Sequence, residues 1–223
     1  MSGSEVVRRR SMPVRDEKVK VPGPEGDLEG VLSIPEEDEG AHIAVICHPH
    51  PLHGGTLSNK VVHTAARACC DLGAPSLRFN FRGVGDSAGA WDGGDGETDD
   101  ALAACRWLGE RFPGRRLWLG GFSFGAYVAM RAAAEIRPES IVTIAPPVNH
   151  FDFSALSAPM ASWLLVHGDE DEVVPWESVR HWLDGVTVQP RVRLLKEAGH
   201  FFHGRLAELR AILADFLQRA GRG

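Results

Sequence analysis

RLWLGGFSFGAYVAMRAAAE, residues 116–135, changes its hydrophobic period in the middle. Leu117 to Leu119 form a short apolar run that ends in Gly120 and Gly121, as a buried strand does, whereas Ala126 to Glu135 are rich in helix formers. Only Phe122-Ser123-Phe124-Gly125 lie between, so the chain must turn sharply from strand to helix at Ser123. Gly121 and Gly125, two before and two after that serine, remove the Cβ atoms that would clash where the two backbones pass. The same G-x-S-x-G spacing recurs in GDSAG, Gly85 to Gly89. There the nearest strand residues, Phe79 to Phe81, end well before Ser87, and the glycine-rich AGAWDGGDG follows without a run of helix formers. GDSAG reads as a glycine-rich turn in which Ser87 or Asp86 bonds backbone.

Outward from this turn, strands and helices alternate. Residues 18–34 suit two strands around a Pro/Gly turn, and HIAVICHPH (42–50) is a continuous apolar run suited to a strand buried on both faces. Residues 59–73 have helical spacing and stop at Gly73, 75–83 suit a strand, and 83–97 are too glycine-rich for either. A helix is expected from Thr98, whose early aspartates favour a helix N-terminus, to Pro113-Gly114. Strands are then expected at 140–147, 162–169 and 192–200, and helices at 176–186 and 204–221. This order predicts an α/β fold: a doubly wound, mainly parallel sheet with helices on both faces. Residues 1–17 are expected to be a flexible tail, and 18–223 a single domain.

Composition narrows the function. Hydrophobic residues make up 43% and charged residues 24%, as in ordinary globular proteins, and the net charge of -6 argues against a nucleic-acid surface. No apolar run approaches the ~20 residues that cross a bilayer, so no membrane partner is expected. Arg8-Arg9-Arg10 is followed by polar residues, not by the apolar stretch of a secretory leader. Cys47, Cys69, Cys70 and Cys105 show no C-x-x-C spacing; vicinal Cys69-Cys70 suit a buried helix face, and a reduced, cytoplasmic protein is expected. His48, His50, His53 and His63 lack i, i+4 helical spacing and an interleaved carboxylate cluster, so no metal site and no cofactor are expected.

A serine at a tight strand–helix turn has the N–H groups and positive dipole end of a helix behind it, where a developing oxyanion is stabilised. Its hydroxyl is a poor nucleophile unless a base takes its proton and a carboxylate orients that base. In a doubly wound sheet such groups converge from strand ends. After SWLLVHG come Asp169, Glu170, Asp171 and Glu172; after VRLLKEAG comes His200. His203 is expected at the start of the closing helix.

GGFSFG, HGDEDEVVP and EAGHFF together resemble the nucleophile elbow, acid loop and histidine loop of the α/β-hydrolase superfamily, in its order serine, acid, histidine. From about Val31 onward the chain is similar to small, cap-less bacterial serine carboxylesterases. The resemblance implies Ser123 as nucleophile, His200 as base and Asp171 as acid, from the pattern H-G-x-x-D-x-V-V-P, with Asp169 as the other candidate. It implies an oxyanion hole from the amide of Phe124 and from the loop HPHPLHGG. Proline has no N–H, which leaves His50 and Leu52, and the superfamily's His-Gly-x loop favours His50. Caps are usually inserted after the strand SIVTIAPP, but the connection here is short, so the resemblance implies no cap domain and an open site. The expected function is hydrolysis of small to medium acyl esters. A thioesterase or other acyl hydrolase is the alternative, and a non-catalytic binding protein a more remote one.

Overall fold

Alternation of side chains along the strands decides where the helices go. In β3 (His42–Cys47), Ile43, Val45 and Cys47 enter one hydrophobic core, while Ala44 and Ile46 enter the other. A strand buried on both faces must be covered on both. The computed structural model describes residues 12–156 and 158–221. The other strands are β1 (Val14–Gly23), β2 (Gly26–Pro35), β4 (Ser76–Phe79), β5 (Arg116–Phe122), β6 (Ser140–Ile144), β7 (Ser162–Gly168) and β8 (Arg191–Leu195). The helices are α1 (Lys60–Cys70), α2 (Asp95–Arg111), α3 (Phe124–Ile136), α4 (Trp176–Asp184) and α5 (Leu206–Ala220).

The sheet has eight strands in the order β1-β2-β4-β3-β5-β6-β7-β8; β1 and β2 are antiparallel, and β4 through β8 run parallel with β3. Helices α1 and α5 cover one face with Val62, Ala66, Leu213 and Leu217. Helices α2 and α3 cover the other with Leu102, Leu108, Val128 and Met130, and α4 joins them through Val179 and Leu183. The expected α/β, mainly parallel, doubly wound sheet is therefore observed. The chain leaves β3 for β4 on one side through α1, and later adds β5 on the other side of β3. The crevice at the carboxyl ends of β3 and β5 is thus a topological switch point, where this class of sheet places its sites. Residues 145–161, between β6 and β7, hold no helix or strand among those described, so no cap intervenes there. No helix of the described residues is long and apolar enough to cross a membrane.

Several boundaries differ from expectation. The tail boundary at residue 17 moves back, because Val14 to Glu17 already pair with Pro35 to Leu32, and Ser33 Oγ donates to Asp16 Oδ1 at 2.6 Å. Residues 1–11 of the expected tail lie outside the described residues. Helix α2 begins at Asp95, not Thr98, because the loop supplies its own caps: Glu97 accepts from the amides of Gly94 (2.8 Å) and Asp92 (3.1 Å), and Asp92 accepts from Gly96 at 3.0 Å. The last strand stops at Leu195, so a turn through Glu197, at φ 54°, carries the chain on to His200.

Asp100, expected to serve the helix dipole, is instead fully buried. Its carboxylate accepts from Arg82 Nη2 (2.8 Å), Nε (3.1 Å) and backbone N (2.9 Å). A charged pair out of water is strongly destabilised when one partner is removed. Asp100→Ala is expected to lower unfolding free energy by ~3–5 kcal/mol, seen as a lower urea midpoint. An unchanged midpoint would mean that Glu25, 3.3 Å from Arg82 Nη1, takes over as counter-ion.

Candidate active site

Ser123 is the sole residue between β5 and α3, and its backbone sits at φ 53°, ψ -122°, a conformation L-residues avoid. Close packing holds it there. A Cβ at Gly121 would lie 2.0 Å from the Gly125 carbonyl oxygen, and one at Gly125 would lie 2.3 Å from that of Cys47. The Ser123 amide donates to Ile144 O at 2.8 Å, which ties the turn to β6.

The two loops that approach Ser123 are laced to each other. Asp169 N donates to Leu195 O (3.0 Å), Glu170 N to Ala198 O (3.1 Å), and the Asp169 carboxylate accepts from Glu197 N at 2.7 Å. A Cβ at Gly168 would meet Ala198 O at 2.0 Å, so glycine is required where the loops cross. The result is a linear chain of side chains: His200 Nε2 lies 3.0 Å from Ser123 Oγ, and His200 Nδ1 lies 2.8 Å from Asp171 Oδ2. Asp171 Oδ1 accepts from the amides of Val173 (2.9 Å) and Val174 (2.8 Å). Burial pushes the Asp171 carboxyl up, but the hydrogen bonds from His200 and Val174, with the charge of His200, hold it below its ordinary value. An ionised carboxylate only accepts, so the His200 proton sits on Nδ1 and Nε2 is left to accept from the serine hydroxyl.

Of the expected site residues, Ser123, Asp171 and His200 are brought together. Asp169 is engaged with the Glu197 amide, away from the imidazole. Phe124 opens α3, and a first-turn amide has no acceptor within its own helix. Among the described residues the His50 amide likewise meets no acceptor, whereas Leu52 N donates to His50 Nδ1 at 3.2 Å. Ser87 lies elsewhere: its hydroxyl donates to Asn80 O (2.8 Å) and accepts from Glu29 N (2.9 Å), pinning the GDSAG turn. His203 precedes α5 instead of opening it, because the helix starts only at Leu206. Grooves of about 420 Å³ beside Trp107 and about 450 Å³ beside Arg78 are not lined by Ser123, Asp171 or His200.

Two buried histidines have structural roles that the sequence does not reveal. His48 donates from Nδ1 to Pro49 O (2.6 Å) and accepts at Nε2 from Phe81 N (3.0 Å), joining the ends of β3 and β4. His167 Nε2 donates to Val174 O at 2.8 Å and stands 3.5 Å from Asp171 Oδ2, beneath the acid loop. The sequence signal was that His48 directly follows an apolar strand and His167 lies near the end of one.

His48 gives a pH prediction. Burial lowers its pKa from 6.5 to about 4, so between those values the unfolded chain binds a proton that the folded chain refuses. The stabilising contribution is whole above pH 6.5 and is lost as the pH falls through about 4, ~3 kcal/mol in all. Urea midpoints measured from pH 7 to 4.5 are expected to fall accordingly, and to fall less steeply in His48→Gln. Parallel curves would assign the loss to other groups.

The chain has relatives among known proteins. A family model described as the α/β hydrolase fold matches residues 52–161. An α/β serine hydrolase without a lid from Xanthomonas campestris is 42% identical, covers 94% of this chain and 97% of its own, and superposes with a TM-score of 0.87. An α/β serine hydrolase homologue from Coxiella burnetii is also 42% identical, over 90% of this chain and 97% of its own, at a TM-score of 0.86. An uncharacterised protein of Rickettsia prowazekii is 37% identical over 206 residues, 87% of this chain and 86% of that protein. Identity at this level across nearly the whole length, with the lid absent here too, means that the chain belongs to the α/β-hydrolase superfamily and is similar to its bacterial serine hydrolases without a lid.

Proposed function

We propose that the protein is a serine carboxylesterase acting through an acyl-enzyme. The observation that carries this is the unbroken chain from Ser123 Oγ through His200 to Asp171, at 3.0 and 2.8 Å. His200 Nε2 takes the serine proton as Oγ attacks the ester carbonyl, and Asp171 fixes the imidazole tautomer and stabilises its charge. The Phe124 and His50 amides receive the oxyanion; one such donor contributes roughly 10²–10³ in rate in other enzymes. The imidazolium returns its proton to the departing alcohol. Water, deprotonated by the same imidazole, then releases the acid and restores Ser123.

The residues in this arrangement are complete without a metal or organic cofactor. The partner is a small-molecule ester, and neither nucleic acid nor membrane is invoked. The four cysteines are free and buried, which suits a reducing cytoplasm; burial pushes the Cys105 thiol up to about 12. The lack of a cap favours small to medium acyl groups.

A fluorophosphonate probe tests the assignment, because only an activated serine reacts. Labelling at Ser123 is expected, with faster turnover of acetyl to hexanoyl esters than of palmitoyl esters. No labelling would favour a binding protein on this fold. Faster cleavage of matched thioesters than of oxygen esters would make it a thioesterase, and a rate that rises out to palmitoyl would remove the size argument.

A further inference from the structure

The rings packed around Phe124, the residue after Ser123, form a continuous cluster that the reaction itself does not require. Phe124 is fully buried, with its ring centroid 5.0 Å from Trp91, 5.2 Å from Phe151 and 5.3 Å from His50. His50 lies 4.5 Å from Trp91 and stacks on His53 at 4.4 Å and 17°. Trp91, Phe151 and His50 are only half-buried, in contrast to Phe124. Burial, and then the neighbouring His53 and His150, lower the pKa of the His50 imidazole, which keeps this wall uncharged near neutrality. Four separate segments supply it: the loop after β3, the glycine-rich loop before α2, the serine turn and the connection after β6. Across the site, Phe201 stands 42% exposed and edge-on to His200, at 5.2 Å and 88°.

The chemistry orients a substrate between these two sides. The leaving oxygen must lie near His200 Nε2 to collect its proton, so the alcohol passes Phe201. The carbonyl oxygen lies toward the Phe124 and His50 amides, and the acyl group extends away from His200, along the rings of Trp91 and Phe151. Aromatic rings prefer offset or edge contact with other π systems beyond what buried area alone supplies. We infer that the Trp91–Phe151–His50 wall is an acyl subsite that selects esters of carboxylic acids bearing an aromatic ring. This rests on the esterase assignment above and goes beyond it in naming the substrate class.

The test compares ethyl 3-phenylpropanoate with ethyl 3-cyclohexylpropanoate, which share carbonyl, chain and leaving group and differ in the ring, planar and aromatic in one and saturated in the other. The wild type is expected to favour the phenyl ester in kcat/KM by about threefold to tenfold. That ratio is expected to approach one in Trp91→Leu and Phe151→Leu, and to persist in Trp91→Phe, which keeps a ring. Fluorophosphonate labelling of each variant shows that its serine remains assembled. A wild-type ratio near one, with labelling and ethyl butyrate hydrolysis intact, would overturn the aromatic subsite and leave the esterase assignment standing. A ratio that survives in both leucine variants would overturn it as well. Failure of the wild type to label or to cleave any ester would remove the esterase assignment, and this inference with it.

Discussion

Ser123→Ala is expected to lower p-nitrophenyl butyrate hydrolysis by about four to six orders of magnitude, leaving the weak catalysis that binding and oxyanion donors supply alone. The loss should appear in kcat, because the hydroxyl acts in the chemical step more than in binding. Ser87→Ala is the matched control, since GDSAG has the same spacing as GFSFG. Its hydroxyl makes two hydrogen bonds to backbone, so the expected penalty is ~1–3 kcal/mol of stability with turnover retained. Hydrolysis that survives in Ser123→Ala and vanishes in Ser87→Ala would reverse the assignment.

Asp171→Asn is expected to reduce kcat by roughly 10⁴-fold, because an amide in place of the carboxylate favours the wrong imidazole tautomer. Asp169→Asn should leave kcat within about tenfold, as its carboxylate bonds the Glu197 amide and not His200. Steady-state kinetics on both variants separates the two carboxylates. A collapse in the Asp169 variant with Asp171→Asn unaffected would show that the acid loop rearranges when substrate binds.

Features set by local chemistry were legible in the sequence. The period change around Ser123 located the strand, the turn and the helix, and the two glycines proved to be sites of close backbone approach. His200 was legible as a histidine after an apolar strand, even though β8 ends five residues before it. What escaped was decided by distant partners. Asp100 looked like a dipole residue at a helix start, and only the fold reveals that Arg82 lies within reach of its buried carboxylate. The start of α2 was misplaced because its caps come from Asp92 and Glu97, which read as loop. Trp91 stood in a glycine-rich segment with no period to interpret. Its place beside Phe124 depends on how that loop folds back over α3.

The backbone of Ser123 carries an evolutionary implication. A residue at φ 53° and ψ -122° costs about 1–3 kcal/mol relative to relaxed backbone, and glycine is the residue that would relieve it. Glycine would also abolish the hydroxyl. Drift toward greater thermal robustness at this position therefore runs directly against turnover, and any lineage that had lost the need for hydrolysis would be free to accumulate it.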